Sequence, residues 1–415
     1  MHFESSDAAD LLATASSLLF LNGQSSESTE ATIRRFGAAL GVEADVLLRW
    51  GEVVLFVSNQ RVPIILPAKP TTVDMGRVAA VLHIIDEVEA GRMDPGQARA
   101  ALDGITRMPP VSVVRFAALA AAGAAALGVI FGATTAATLA VIALSAGGGA
   151  LLRRAVSHLT HNALAQPFCA ALLAGVAGVL AIRADIGVDP RLVLVCPCMV
   201  LVPGPHVLNG TIDLARARIT IGSARLMFAG LLVLMICAGL LLGLTAGDIS
   251  LPAAGPATVV PWYRDMAAAG LAVAAYGTFF NMPWRVLPVP VLVGMAAHGA
   301  RWLLLTWGVS LAAASLAACL IVGVLVTVLA DRLRYPFAAF GFASVVSMVP
   351  GVFLFESAAA LVELTAQGVG APARLVVEAV VNGISALLII LAMTVGLIVP
   401  KMAIEGWRPP RARDR

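Results

Sequence analysis

Residues 224–246 read ARLMFAGLLVLMICAGLLLGLTA, and after Arg225 this run carries no charged side chain. As a helix rising about 1.5 Å per residue it covers a hydrocarbon layer of roughly 30 Å. Nine other apolar runs of similar length flank it, at 112–131, 134–152, 163–182, 192–209, 264–282, 286–304, 309–330, 336–356 and 379–399. The seventh, 286–304, is interrupted by Pro288 and Pro290. The reading is an α-helical polytopic membrane protein with ten transmembrane helices.

The rest of the 415 residues agrees. The chain is 59% hydrophobic and 13% charged, with a mean hydropathy of +0.90, a composition that disfavours a soluble globular protein. Its net charge of +3 is too dilute for nucleic-acid binding to be its task. The five cysteines lie in apolar runs, and Cys196 and Cys198 lack the second pair that a zinc site needs, so they read as packing residues. No metal and no cofactor is expected.

Charge divides the chain. Residues 1–110 hold 9 basic and 14 acidic side chains, 111–400 hold 14 and 9, and the tail 401–415 holds 5 and 2. The head, 1–110, patterns as a small α+β domain: helices over Asp7–Asn22, Ser25–Leu40, Asp74–Ala90 and Pro95–Arg107, with short strands at Asp45–Trp50, Val53–Asn59 and Val62–Leu66. It has the length to fold alone, and its acidic residues read as a solvated face. The first residues lack a signal-peptide pattern, which places the head in the cytoplasm. With ten crossings both termini are then cytoplasmic, and the inner loops and tail carry more arginine than the outer loops.

Leu201-Val202-Pro203-Gly204 recurs as Met348-Val349-Pro350-Gly351, an offset of 147. Phe131-Gly132 and Phe280-Asn281, at the ends of the first and sixth runs, correspond as well, as do Gly175 and Gly323. Five helices thus occur twice, at 111–250 and 251–400. An odd number per unit makes the second copy enter from the opposite side, giving two five-helix inverted repeats. Pro removes a donor and Gly permits unwound backbone, so Pro203-Gly204 and Pro350-Gly351 read as broken helices facing each other at a central substrate site. The helix end after Pro203-Gly204 offers N–H groups to a carboxylate, and the carbonyls before it suit an ammonium. His206, Asn209 and Asn281 add polar side chains to the candidate substrate site. Glu356, equivalent to Asn209 at the offset of 147, is the candidate coupling carboxylate, with Asp213 as the second; Asp213 also has Arg216 and Arg225 as candidate ion-pair partners.

Several of these segments together resemble the threonine/serine exporter family in its fused form. They are Asn22-Gly23 with the Glu27–Gly41 helix, Val73-Asp74-Met75-Gly76-Arg77-Val78, the run from Pro203-Gly204 through Asn209, Asp213, Gly222 and Arg225, Phe279-Phe280-Asn281-Met282-Pro283, and Val349-Pro350-Gly351. The resemblance implies a cytoplasmic N-terminal domain and ten helices in a bacterial inner membrane. It implies secondary export of L-threonine and L-serine by alternating access, driven by the proton gradient or membrane potential. Split relatives are associated with succinate, so a C4 dicarboxylate is the alternative substrate. That substrate wants two cations, and Arg285 and Arg301, the arginines nearest the expected core, read as anchors at membrane ends. An intramembrane hydrolase is disfavoured by the absence of a facing Asp pair and of Gly-x-Ser-x-Gly. The expected partners are a small-molecule substrate and the lipid bilayer, with no nucleic acid; homo-oligomerisation stays open.

Overall fold

The computed structural model describes residues 5–58, 60–160, 162–247, 249, 260–333 and 335–406. Asn59 of the second expected strand, His161, the first residues of the second expected five-helix unit, Arg334 and the basic tail beyond residue 406 lie outside the described residues.

The N-terminal part begins with helices α1 (Ser5–Leu21) and α2 (Ser26–Ala39), continues through strands β1 (Ala44–Arg49), β2 (Gly51–Val57) and β3 (Ile64–Ala68), and ends with α3 (Met75–Glu89) and α4 (Pro95–Thr106). Each of the last three helices starts at a side chain that accepts a backbone N–H: Ser25 from Ser28, Asp74 from Arg77, and Asp94 from Gln97 in a reciprocal capping box. The strands form an antiparallel sheet with β2 in the centre, paired Ala44↔Val57 to Arg49↔Glu52 on one side and Gly51↔Ala68 to Leu55↔Ile64 on the other. In β1 Ala44, Val46 and Leu48 are buried while Asp45, Leu47 and Arg49 are exposed, the two-residue alternation of a half-buried strand.

Twelve helices follow: α5 (Val113–Ile130), α6 (Ala136–Leu159), α7 (Ala165–Arg183), α8 (Pro190–Met199), α9 (Gly204–Ala215), α10 (Ile219–Thr245), α11 (Trp262–Phe279), α12 (Pro288–Thr306), α13 (Leu311–Leu333), α14 (Phe337–Val345), α15 (Gly351–Gln367) and α16 (Ala373–Gly406). Among the described residues eight are long and apolar enough to cross a membrane, and α8 with α9, bent by 61°, passes as a ninth. α11 is not among them; its first turn carries Arg264 and Asp265. Pro288 and Pro290 do not interrupt α12, because they occupy its first turn, where a missing N–H costs nothing. The run 336–356 is split: α14 ends in a 3-10 turn, Val346–Met348, and α15 continues to Gln367, so Glu356 lies inside a helix and not at its end.

Burial separates two kinds of helix. Every residue of α8 from Leu192 to Met199, and of α14 from Ala338 to Val345, is buried, whereas the long helices expose leucine and valine on one face, as Leu231 and Leu234 on α10 and Val377 and Val381 on α16. A helix apolar all round belongs in the interior, and one with an exposed apolar face suits lipid. α7 crosses α10 where Gly175 and Gly243 meet backbone to backbone, and α13 crosses α16 where Gly323 meets Gly396; absent side chains allow this approach. One buried apolar cluster runs from Ala8 in α1 to Leu397 in α16, joining the N-terminal part to the helices.

Candidate functional site

Both Pro-Gly segments interrupt helices with the same backbone geometry. Pro203 has φ −80°, ψ 59° and Pro350 has φ −78°, ψ 53°, each the centre of an inverse γ-turn closed by Gly204 N–H to Val202 O and Gly351 N–H to Val349 O, both 2.8 Å. The breaks touch. A Cβ on Gly204 would lie 3.3 Å from Val346 Cγ2 and 3.7 Å from Val349 Cγ2, and one on Gly351 would lie 3.3 Å from Val202 Cγ2. Phe131-Gly132 and Phe280-Asn281 match in the same way: both phenylalanines have φ near −88°, and the next residue takes positive φ, 91° at Gly132 and 54° at Asn281. Asn281 therefore serves as a left-handed helix stop, a conformation that asparagine tolerates.

Beside the first break is a cavity of about 450 Å³ whose lining includes Pro203, His206, Asp74, Arg153, Arg154, Tyr276 and Asn281. Its volume falls in the range of small-molecule sites. The walls come from both parts of the chain, since the Thr71–Arg77 segment closes one side. Asp74 anchors that wall. Besides capping α3 it accepts a 2.6 Å bond from Asn281 Nδ2, while Met75 N–H bonds to Phe280 O at 2.8 Å. Gly76 comes so close to Asn281 O that a Cβ there would sit at 2.6 Å.

The cationic side of the cavity is built by α6. Arg154 donates to Val111 O at 2.8 Å and lies over the Phe116 ring at 4.8 Å. Arg153 lies beside the edge-to-face pair of Phe116 and Phe279, 5.8 and 5.7 Å from their centroids, and its buried Nε has no hydrogen-bond partner among the described residues. Tyr276 donates to Met199 O at 2.9 Å, and His206 stands edge-on to Phe228 at 5.1 Å. A larger cleft of about 620 Å³ separates α3 from the end of α13, but it lies away from both breaks and its Arg35 is already paired with Asp86 and Glu89.

The other predicted residues do not join this cavity. Pro350 and Gly351 sit at the contact between breaks. Asn209 Nδ2 donates to Gly23 O at 3.2 Å and thus faces the N-terminal part. Asp213 forms a buried ion pair with Arg225 at 2.9 Å and accepts from Ser26 Oγ at 3.1 Å. Glu356 accepts from Arg191 Nε at 2.9 Å and from its terminal nitrogen as well, alongside the start of α8. Asn209 and Glu356, equivalent in sequence, therefore do not share one site: α9 leads from its break toward α2, and α15 leads toward Arg191. The α9 terminus also offers less than its sequence implies. Gly204 N–H is closed on Val202 O, Pro205 has no N–H, and His206 N–H bonds to Pro203 O at 3.1 Å.

The expected solvated acidic face is corrected in part. Glu30 pairs with Arg218 at 2.8 Å, and Glu27 pairs with Arg216 and, at 3.3 Å, with Lys401, so these acids fasten α2 onto α9, α10 and α16. Burial at this contact raises the Glu30 carboxyl above its ordinary range against the opposing pull of Arg218 and Arg34.

Two families match the chain: one described as "Putative threonine/serine exporter" over residues 10–247, and one described as "Threonine/Serine exporter, ThrE" over residues 265–403. The chain belongs to the threonine/serine exporter family. No solved structure matches it. As a member of an amino acid exporter family with many apolar helices, it is a multi-pass membrane transport protein.

Sequence reasoning about this exporter-family chain missed the cations that line the cavity. Arg285 and Arg301 do not line the cavity; Arg153 and Arg154 do. Their adjacency at the end of an apolar run reads as inner-loop charge, and only the packing of α5 and α11 brings Phe116 to both and Phe279 to Arg153. Also missed was a buried chain in which His298 Nδ1 meets Asp265 Oδ2 at 3.0 Å and His298 Nε2 meets Ser347 Oγ at 2.9 Å.

Proposed function

We propose that the protein is a secondary exporter, and not an enzyme, that carries L-threonine and L-serine from the cavity beside Pro203. The observation that carries the reading is Arg153, a half-buried guanidinium that lines the cavity and pairs with no carboxylate among the described residues. A substrate carboxylate supplies acceptors and charge, and a bidentate arginine–carboxylate contact fixes its orientation. Asp74, on the wall formed by the Thr71–Arg77 segment and already 3.5 Å from the Arg77 guanidinium, supplies the negative charge for the ammonium, and His206 and Tyr276 bound the small side chain. The substrate is thus read by side chains and not by the α9 terminus.

Two five-helix units of opposite topology, making ten crossings with α8–α9 and α14–α15 as the broken spans, accommodate the matched turns at Pro203 and Pro350. We place the N-terminal part, and so this cavity, on the cytoplasmic side of a bacterial inner membrane, with the Arg191–Glu356 pair closing the outer side. Alternating access then requires that pair to part while the N-terminal part closes over Arg153. The proton gradient or membrane potential drives the cycle.

A second reading has its own support. Arg153 and Arg154 put two guanidinium groups on one cavity wall, the pairing that a C4 dicarboxylate such as succinate needs. Counterflow of radiolabelled threonine, serine and succinate in proteoliposomes separates the two. Threonine and serine exchange, with at least a tenfold rise in half-saturation for Arg153→Gln, is expected. Exchange of succinate alone transfers the site to the dicarboxylate.

A further inference from the structure

Apart from the cavity, a buried polar group among the described residues is the line Asp265–His298–Ser347. Its members come from three elements: the first turn of α11, the body of α12 and the 3-10 turn Val346–Met348. His298 is fully buried, Ser347 is 3% exposed and Asp265 is 7% exposed. A carboxylate can only accept, so the 3.0 Å contact puts the imidazole hydrogen on Nδ1 and leaves Nε2 to accept from the Ser347 hydroxyl at 2.9 Å.

We propose that this line is a proton-binding relay that sets the state of the second break, and the proposal rests on the exporter reading for its transport consequence. A proton taken up at Nε2, the ring nitrogen that carries no hydrogen, leaves the imidazole protonated on both nitrogens. Nε2 then donates to Ser347 Oγ, and the serine hydrogen turns to another acceptor. No bond other than N–H and O–H changes, and the proton leaves by the reverse sequence. The imidazolium keeps the Asp265 carboxylate as its counter-charge.

The mechanical consequence follows from where Ser347 sits. It is the middle residue of the turn before Val349-Pro350, and the Val346 and Val349 side chains are those packed on Gly204. Reversing the hydroxyl from donor to acceptor therefore acts on the contact between the two breaks. The groups facing the imidazole are Asp265 from α11, Ser347 from the turn, and Arg301 one turn along α12, with Cys319 of α13 beside Arg301. The first half carries no counterpart: at the offset of 147 the equivalent residues are Ala118, Leu151 and Val200. The same three residue types serve nucleophilic catalysis elsewhere, but Ser347 lines neither cavity described above, so its hydroxyl has no substrate to meet.

Two measurements on the full-length protein test the relay. In detergent without substrate, 15N-histidine spectra identify His298 by the resonance that His298→Gln removes. That imidazole is expected to titrate, with proton affinity at least tenfold weaker in Asp265→Asn. An imidazole that does not titrate, or that ignores Asp265→Asn, overturns the proposal. In proteoliposomes the ratio of pH-gradient-driven efflux to counterflow of threonine or serine should fall at least tenfold in His298→Gln, and an unchanged ratio also overturns it. Should His298→Gln fail to fold, Ser347→Ala keeps the imidazole and should lower the ratio while the titration persists. If wild-type protein exchanges neither amino acid, the exporter reading fails and the titration alone decides the relay.

Discussion

Removing either member of the Asp213–Arg225 pair should unfold far more of the protein than removing both. Their side chains are 3% and 2% exposed, 2.9 Å apart, and Arg225 Nη2 has no further partner among the described residues. Asp213→Leu leaves a buried guanidinium without its counter-charge, and Arg225→Met leaves a buried carboxylate with only the Ser26 hydroxyl. Breaking such a pair from one side costs about 3–5 kcal/mol, whereas replacing both partners by apolar groups is neutral or gains about 1–4 kcal/mol. Met at 225 also retains contact with the Phe20 ring, over which the guanidinium now lies at 5.6 Å. The four proteins of this cycle can be compared by SDS-induced unfolding in mixed micelles. Each single variant should lose at least a hundredfold in its folding equilibrium and the double variant should recover most of that loss. Additivity of the two losses within about 0.5 kcal/mol would refute the reasoning, because independent sites add to that precision. The same cycle addresses coupling. If Asp213 is held for docking alone, the double variant still performs proton-driven export; if it folds and does not, Asp213 returns as a coupling carboxylate.

Glycine substitutions on α10 should have opposite signs. A Cβ on Gly239 would meet Phe168 O at 2.3 Å, so Gly239→Ala must push α7 away and lower the melting temperature, by an overpacking cost of about 1–3 kcal/mol. Gly230→Ala meets nothing within 4 Å and should gain up to about 1 kcal/mol of helix propensity; equal shifts in the two melts would contradict the packing. Glu30 supplies a pH dependence. Its raised carboxyl binds a proton more tightly folded than unfolded, so this group adds stability as pH falls through the raised value toward the ordinary 4.5 and withdraws it as pH rises. Glu30→Gln should flatten that slope in melting curves, and an unaltered slope would assign it to another group. Residues 1–108 should form a soluble, cooperatively melting fragment, because Leu12, Phe36, Leu55 and Ile85 are fully buried among α1–α4 and the sheet; an aggregated fragment would mean that the contacts with α9, α10 and α16 are required.

The parts of this structure that could be read in the sequence are those whose cause is local. Ser25, Asp74 and Asp94 start helices because their oxygens cap them, and Pro203 and Pro350 break helices because proline has no N–H to give. The pairing of Phe131-Gly132 with Phe280-Asn281 was legible for the same reason, since both must leave a helix with positive φ. What escaped was direction. An offset of 147 makes Asn209 and Glu356 equivalent along the chain but says nothing of where each points, and they meet Gly23 and Arg191. Arg153, Asp265, His298 and Ser347 escaped because their neighbours lie tens to hundreds of residues away, and in isolation each looks like an anchor, a helix start or a core polar residue.

The long-range contacts also tie the two breaks into one unit. Tyr276 holds Met199 just before the first, Asp265 at the other end of the same helix reaches Ser347 just before the second through His298, and the breaks pack on each other at Gly204 and Gly351. Close-packed interiors pass between discrete arrangements and resist small continuous deformation. A shift at Pro350 therefore cannot be absorbed locally: it presses on Val202 and Gly204, and through them on Pro203, at the edge of the cavity that holds Arg153. The Asp74–Asn281 bond fixes the far wall of that cavity to the end of α11 as well. One helix thus bears on both breaks and on the wall contributed by the N-terminal part.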